Sequence, residues 1–319
     1  MKILLIRIDR LGDLILTLPA IKAIKEQYGN AEITMVVNRQ FLKFVEQTGL
    51  VTRVFPFSCT LFLQLRKDYY DYAIDLTPAS TYVSSLLLLS VHAKEKVGYA
   101  VGVRKYFLTT SVQPGEIQYE RDMVLRICEK LNISIKDRKL IFPIHNKEQV
   151  QKSCHSLVPH FKEDKKIIAV HIGASAIKKR WPLKKFALVV NKLIKEKSTV
   201  IFVGTKEEKN DINELNELLT EKQVSLAGVL SIEQLGYFLS TCDLLLCNNS
   251  GPMNIGAAVG VPMVVINQIS SQIRWNPINN NIVIFNGNTH DVEQKKTGKS
   301  IEINEEKVYN ACKVLLNTT

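Results

Sequence analysis

Apolar positions along this chain alternate between two spacings. Short, nearly continuous apolar runs such as KILLIRI, AEITMVV, KKIIAVHIG, STVIFVG, DLLLCN and VPMVVI read as strands buried on both faces. Between them lie stretches whose apolar residues recur every three or four positions. Leu14, Leu18 and Ile21 after the first run, and PLKKFALVVNKLIKE in the second half, read as helices with one buried side. Strand and helix alternate throughout, which predicts an α/β fold with parallel sheets and helices on both faces.

The opening unit is a strand from Lys2 to Ile8, a turn carrying Gly12 and Asp13, and a helix. Pro19 is compatible with a helix only near its start, so either residues 12–18 form a separate short turn or the helix begins late. RQFLKFVEQTG predicts a helix closed by Gly49, and DYYDYAIDLTP a strand ending at Asp75. ASTYVSSLLLLSV is apolar enough for a buried helix, and KEKVGYA reads as a short strand. Residues 100–118 look irregular, and IQYERDMVLRICEKLNI forms a helix of about four turns.

The stretch from Ile141 to Lys165 loses the strand pattern and is assigned as the interdomain link, giving domains 1–155 and 156–319. Alternation then restarts. Pro182 opens one helix, Ser231 and Gln234 suit a capping box on the next, and EEKVYNACKVLLN closes the chain. The halves are alike in style, without a sequence repeat.

At 319 residues the chain exceeds the size of one core, which agrees with two domains. No apolar run approaches the length of a bilayer span, and the N-terminus lacks a signal-peptide pattern, so a cytoplasmic protein is expected. Six cysteines (Cys59, Cys128, Cys154, Cys242, Cys247 and Cys312) show no pairing pattern and read as reduced, mostly buried thiols. The histidines are dispersed without metal-ligand spacing.

The net charge of +11 is compatible with nucleic acid, an anionic membrane face or a phosphate-bearing substrate. Lysines and arginines are spread rather than gathered with exposed aromatics, which argues against nucleic acid. Arg10, Lys94, Lys96, Arg104 and Lys105 are candidates for reading phosphates or anionic headgroups.

Three turns at the carboxyl ends of predicted strands carry candidate chemistry. Ligands of open parallel sheets bind there. Asp13 is either a carboxylate at the mouth of the cleft or the cap of its helix. Gly173-Ala174-Ser175, followed by Lys179 and Trp181, is either a phosphate-binding turn or a solvated basic loop with a core Trp. Asn248 to Ala258 places a Gly-Pro turn before a small-residue helix, which is either an anion site suited to a diphosphate, where unpaired N–H groups and the positive helix end converge, or a tight turn needing Gly for its backbone and small residues for close packing.

Together these stretches resemble glycosyltransferase family 9, the heptosyltransferases of lipopolysaccharide core assembly. The resemblance rests on ILLIRIDRLGDLILTLPAIKAIK, YDYAIDL, GAS followed by KRWP, VIFVGTKEE, CDLLLCNNSGPMNIGAAVGVP and a later WNP. It implies a GT-B architecture of two Rossmann-like domains facing a central cleft. The first would bind the acceptor and the second a nucleotide-sugar donor, by family default ADP-heptose.

The resemblance further implies Asp13 as general base of an inverting transfer, with Lys179 stabilising the departing diphosphate. Gly12, Ser175, Asn249, Ser250, Gly251, Pro252, Met253 and Asn254 would form the donor site, with one of Glu207 and Glu208 near the ribose. The donor turn departs from the family's usual Asp-Ser/Thr-Gly-Pro-Met-His, because Asn249 and Asn254 replace the Asp and the His. With no acidic cluster in that turn, a metal-independent reaction is expected. The acceptor implied is a lipid-linked oligosaccharide, with peripheral contact to the anionic inner membrane. Three rivals are a degenerate member that binds nucleotide sugar or glycan without turnover, a nucleotide-sugar epimerase, and a nucleic-acid-binding protein, which rests on charge alone.

Overall fold

The structure is a computed structural model that describes residues 1–58, 60–79, 82–144, 147–157, 165–268, 272–279, 281–287 and 302–318. The chain divides into two compact units, Met1–His145 and Asn146–Thr319. The division falls ahead of the boundary read from the sequence, because helix α6 (Lys147–Leu157) packs on α9 (Ile232–Ser240) of the second unit.

The first unit holds β1 (Lys2–Arg7), α1 (Leu11–Gln27), β2 (Glu32–Val37), α2 (Leu42–Gln47), β3 (Arg53–Pro56) and α3 (Leu61–Leu65). It continues through β4 (Tyr69–Asp75), α4 (Tyr82–Ser90), β5 (His92–Tyr99), β6 (Thr110–Val112) and α5 (Glu120–Lys130). All neighbouring strands are parallel, in the order β3-β2-β1-β4-β5-β6. The second unit contains β7 (Ile167–His171), α7 (Leu183–Lys195), β8 (Thr199–Phe202), α8 (Lys209–Glu217) and β9 (Val224–Ser225). After α9 come β10 (Leu244–Asn248), α10 (Gly251–Val259), β11 (Met263–Asn267), α11 (Gln272–Trp275), β12 (Ile282–Asn286) and α12 (Glu305–Thr318). Its order, β12-β11-β10-β7-β8-β9, repeats the first unit's with the same sequence ranks. Each sheet is thus doubly wound, and its strand order reverses between first and fourth strands, β1 with β4 and β7 with β10.

Buried apolar runs explain why these segments pair as central strands. Leu4 and Ile6 of β1 pack with Ala73, Leu87 and Leu88 on one face of the first sheet. In the second, Ile168, Val170, Leu244, Leu246 and Val264 meet Phe186, Val190 and Cys312 from α7 and α12. Trp181 is wholly buried there, edge-on to Phe186, so the Trp after the basic turn is a core residue.

Several expectations are corrected. Helix α1 runs unbroken through Pro19 and starts at Leu11, so Gly12 and Asp13 lie in its first turn rather than ahead of it. Residues 100–118 include β6, and the proposed link contains α6. The short β9 and the strand β12 also had no counterpart in the sequence reading. Helix α4 is buried on one side only. Cys128, Cys154, Cys242, Cys247 and Cys312 are free and buried, whereas Cys59 lies outside the described residues. Among the described residues, no helix is long and apolar enough to cross a membrane.

Candidate active site

In the first unit the chemistry gathers where β1 and β4 end. Arg7, the last residue of β1, is buried with its guanidinium among three carboxylates. Its Nη2 lies 2.9 Å from Glu120 Oε1 and 3.6 Å from Asp13 Oδ1, and its Nε lies 3.2 Å from Asp9 Oδ2. Nη1 donates to the carbonyl of Leu76, tying the loop after β4 to the same cation.

Asp13 Oδ2 accepts the Arg10 backbone N–H at 3.3 Å. Asp13 is therefore not the N-cap, which is Arg10, but it closes the helix start from the third position. Helix-start placement alone would favour the ionised carboxylate. Its surroundings do the opposite on balance. Burial pushes the Asp13 carboxyl up, Arg7 pulls it down, and the charges of Asp9 and Glu120 push it up further. The outcome is a carboxylate more basic than a free one, at the point where the strand order reverses.

A second buried pair stiffens this edge. The Arg104 guanidinium pairs with Asp75 and donates to the carbonyls of Tyr99 at 2.9 Å and Thr77 at 3.0 Å. Thr77 in turn donates its hydroxyl to Asp9 at 3.4 Å. Arg104 is fully buried, so it is a scaffold for the loop after β4 and not a surface reader of phosphates.

In the second unit the turns after β7, β8 and β10 meet around His171. Its Nδ1 is 3.1 Å from Ser250 Oγ, and its Nε2 is 3.4 Å from Glu208 Oε2. Ser250 Oγ also donates to the carbonyl of Asn248 at 3.0 Å. Glu208 Oε2 accepts the Thr205 N–H at 2.7 Å. Burial would push the Glu208 carboxyl up, but the hydrogen bond and charge of His171 and the Thr205 N–H bring it down to about 2.

Two glycines make room for that carboxylate. A Cβ on Gly173 would stand 1.4 Å from Glu208 Oε1, and one on Gly204 would stand 2.5 Å from Oε2. Glu207 is exposed, so the structure separates the two glutamates that the sequence left as alternatives.

Because the Ser250 hydroxyl is turned toward His171 and Asn248, it makes no cap bond to α10. The N–H groups of Gly251 and Met253 thus face outward from the helix start without a side-chain acceptor, the geometry of an anion site. Met253 itself is fully buried, so any part it takes belongs to its backbone, and Pro252 has no N–H to offer. Asn248 locks the neighbouring turn, donating to Ile172 O at 2.6 Å and accepting Trp181 N–H at 3.1 Å. Ser175 is exposed, and Lys179 ends a 3₁₀ turn (Ile177–Lys179). Arg180 pairs with Asp211.

Asn249 and Asn254 are distinctive. The Nδ2 of Asn249 and the Oδ1 of Asn254 are buried without a hydrogen-bond partner. Among the described residues, no group of three or more His, Cys, Asp or Glu side chains is arranged to hold a metal.

A sequence model of glycosyltransferase family 9 (heptosyltransferase) matches residues 59–303. The chain belongs to glycosyltransferase family 9. This family member is 25% identical over 288 residues to lipopolysaccharide heptosyltransferase 1 of Campylobacter coli, covering 83% of each chain. The solved family 9 glycosyltransferase of Veillonella parvula superposes with a TM-score of 0.87 at 22% identity, covering 100% of this chain and 98% of that one. E. coli ADP-heptose lps heptosyltransferase II superposes with a TM-score of 0.82 at 19% identity, covering 100% and 99%. The fold of this glycosyltransferase is accordingly the GT-B type with two Rossmann-like domains. Asp13, Ser175, Lys179 and the turn from Asn249 to Asn254 all sit at the strand-order reversals of its two sheets. His171, Arg7 and Glu120 were missed in the sequence. The one available signal was a charged or titratable residue at the end of an otherwise apolar strand, at Arg7 and at His171.

Proposed function

We propose that this family 9 glycosyltransferase moves a sugar, heptose by family default, from a nucleotide diphosphate to a hydroxyl of a lipid-linked lipopolysaccharide-core oligosaccharide, with inversion. The first unit takes the acceptor and the second the donor, of which ADP-heptose is the first to test. The observation that carries this reading is Asp13, a carboxylate with raised basicity at the β1/β4 reversal.

Asp13 accepts the acceptor's hydroxyl proton as its oxygen attacks the anomeric carbon from the face opposite the diphosphate. A base whose pKa lies closer to neutrality transfers that proton with better driving force than a free aspartate. Arg7 keeps the carboxylate oriented through its contacts to Asp9, Asp13 and Glu120.

The developing negative charge on the diphosphate meets the N–H groups of Gly251 and Met253, the Ser175 hydroxyl and the Lys179 ammonium. Glu208 uses Oε2 for His171 and Thr205, leaving Oε1 as the atom to face a ribose hydroxyl. Asn249 carries an amide donor where the family's carboxylate only accepts, so this turn differs from the family's usual one in charge and in hydrogen-bonding capacity. The reaction is expected to run in EDTA. The protein works on the cytoplasmic side, where nucleotide sugars are made.

The test is transfer from ADP-heptose to a heptose-deficient core acceptor, with product configuration read by NMR, for the native protein and Asp13→Asn. Loss of transfer in the variant with nucleotide binding intact supports the reading. Equal transfer by the variant refutes the base. Nucleotide binding without transfer or donor hydrolysis by the native protein would instead support a degenerate, binding-only member, the reading that the changed residues Asn249 and Asn254 motivate.

A further inference from the structure

Helix α4 (Tyr82–Ser90) carries apolar residues on the side that faces away from its own sheet. Its inner side, Leu87 and Leu88, belongs to the core with Leu4, Ile6 and Ala73. Its outer side presents Tyr82 (79% exposed), Val83, Leu86 (55%) and Leu89 (50%), positions spaced to share one helical stripe. The 3₁₀ turn Gly102–Tyr106 packs beside α4 and adds exposed Val103 and Tyr106. Six large apolar or aromatic side chains thus form one outward patch, a feature that marks an interaction surface.

Three lysines are set against it. Lys96 donates to the carbonyl of Leu89 at 3.0 Å, at the carboxyl end of α4, and Lys94 projects from the same face of β5 two residues earlier. Lys105 sits 4.9 Å above the ring of Tyr106. The nearest acidic residue on that strand, Glu95, is turned to the other face, where it accepts from Thr109 and Thr110.

We propose that the outer side of α4 and the 102–106 turn form a docking surface for an anionic lipid bilayer. An exposed stripe of Leu and Val lowered into the headgroup region, with tyrosines beside it and lysines against anionic phosphates, is the arrangement of an interfacial helix. A protein partner would be expected to meet a groove or a mixed-sign rim. Here the charged side chains set against the patch are lysines, and it lies on a chain of net charge +11. The proposal rests on this surface alone, so its failure would leave the transfer reading untouched.

The experiment is flotation of the full chain with vesicles of phosphatidylcholine, alone or mixed with phosphatidylglycerol. The native protein should float with the anionic vesicles. Leu86→Gln with Leu89→Gln should lower partitioning by at least about tenfold on them. Lys94→Gln with Lys105→Gln should lower it by roughly fivefold per lysine, on anionic vesicles only. All four positions are exposed, and unchanged thermal midpoints will show that the variants fold. As a gain of signal, Leu86→Trp should shift its emission to the blue on anionic vesicles. No flotation of the native protein, full binding by the Leu86/Leu89 variant, or no spectral shift overturns the proposal. So does a dimer in solution that the Leu86/Leu89 variant dissociates while vesicle binding is unchanged, since a second copy would then be the occupant.

Discussion

Gly173→Ala adds one methyl group where the carboxylate of Glu208 now sits. The new Cβ would lie 1.4 Å from Oε1 and 2.3 Å from Cδ, so the two cannot coexist. The glutamate side chain is flexible enough to leave, and the cost is then what it leaves behind. It gives up the Thr205 N–H at 2.7 Å and the His171 contact at 3.4 Å, charge-assisted bonds of about 1.5–3 kcal/mol when buried. An independent route gives a similar size. A carboxyl lowered from the ordinary 4.5 to about 2 gains at most about 3 kcal/mol from folding, and its solvated edge reduces that to about 2.

Gly173→Ala should therefore cost about 2–3 kcal/mol and lower the second unit's midpoint by roughly 5–10 °C in a calorimetric melt. The pH dependence follows from the sign of the shift. Glu208 is depressed, so its contribution is complete above the unfolded value of 4.5 and is lost as pH falls through about 2. The gap between native protein and variant should shrink below pH 4.5. In a Glu208→Ala background the site is empty, and Gly173→Ala should add almost nothing. A cost below about 0.5 kcal/mol, or an equal cost in both backgrounds, would show that Gly173 does not protect the place of Glu208.

Asp13→Asn should reduce kcat by about 10²–10⁴-fold, the usual share of general-base catalysis. The same change should raise the melting temperature at pH 7, since a carboxyl raised in the native state destabilises it once ionised, and a midpoint that falls would contradict that environment. Arg104→Ala strands the buried Asp75 and should cost about 3–5 kcal/mol in urea denaturation of the first unit, while Lys94→Ala should cost nothing measurable. Lys179→Ala should weaken nucleotide diphosphate binding by about tenfold or more in calorimetry and leave nucleoside binding unchanged.

Much of this was legible in sequence, for a definable reason. Central parallel strands are buried on both faces, so β1, β7, β10 and β11 appear as unbroken apolar runs, and the turns after them stand out by contrast. The edge strands β6 and β9 have three and two residues, too few for any periodicity to show. Helix α6 is polar on most of its surface and reads as a linker until α9 supplies its partner. Side-chain pairing was the least legible. Arg7 meets Glu120 across 113 positions, and His171 meets Ser250 across 79, so only the fold brings them together. Helix α4 misled in the other direction, because a run of leucines states how apolar a segment is and not how many of its sides are covered.

The shared strand order has a consequence for synthesis of the chain. Because the first strand of each unit ends up in the middle of its sheet, it is a temporary edge while the chain is being made. Once β3 has emerged, β1 waits for residues 57–75 before β4 covers its other side, and β7 waits for residues 226–248 before β10 does. At about 5–20 residues per second these intervals last on the order of one to five seconds. During each, an apolar, unpaired β-edge is open to other nascent chains. Over those two windows, pairing of the central strand with another chain competes with completion of its own sheet.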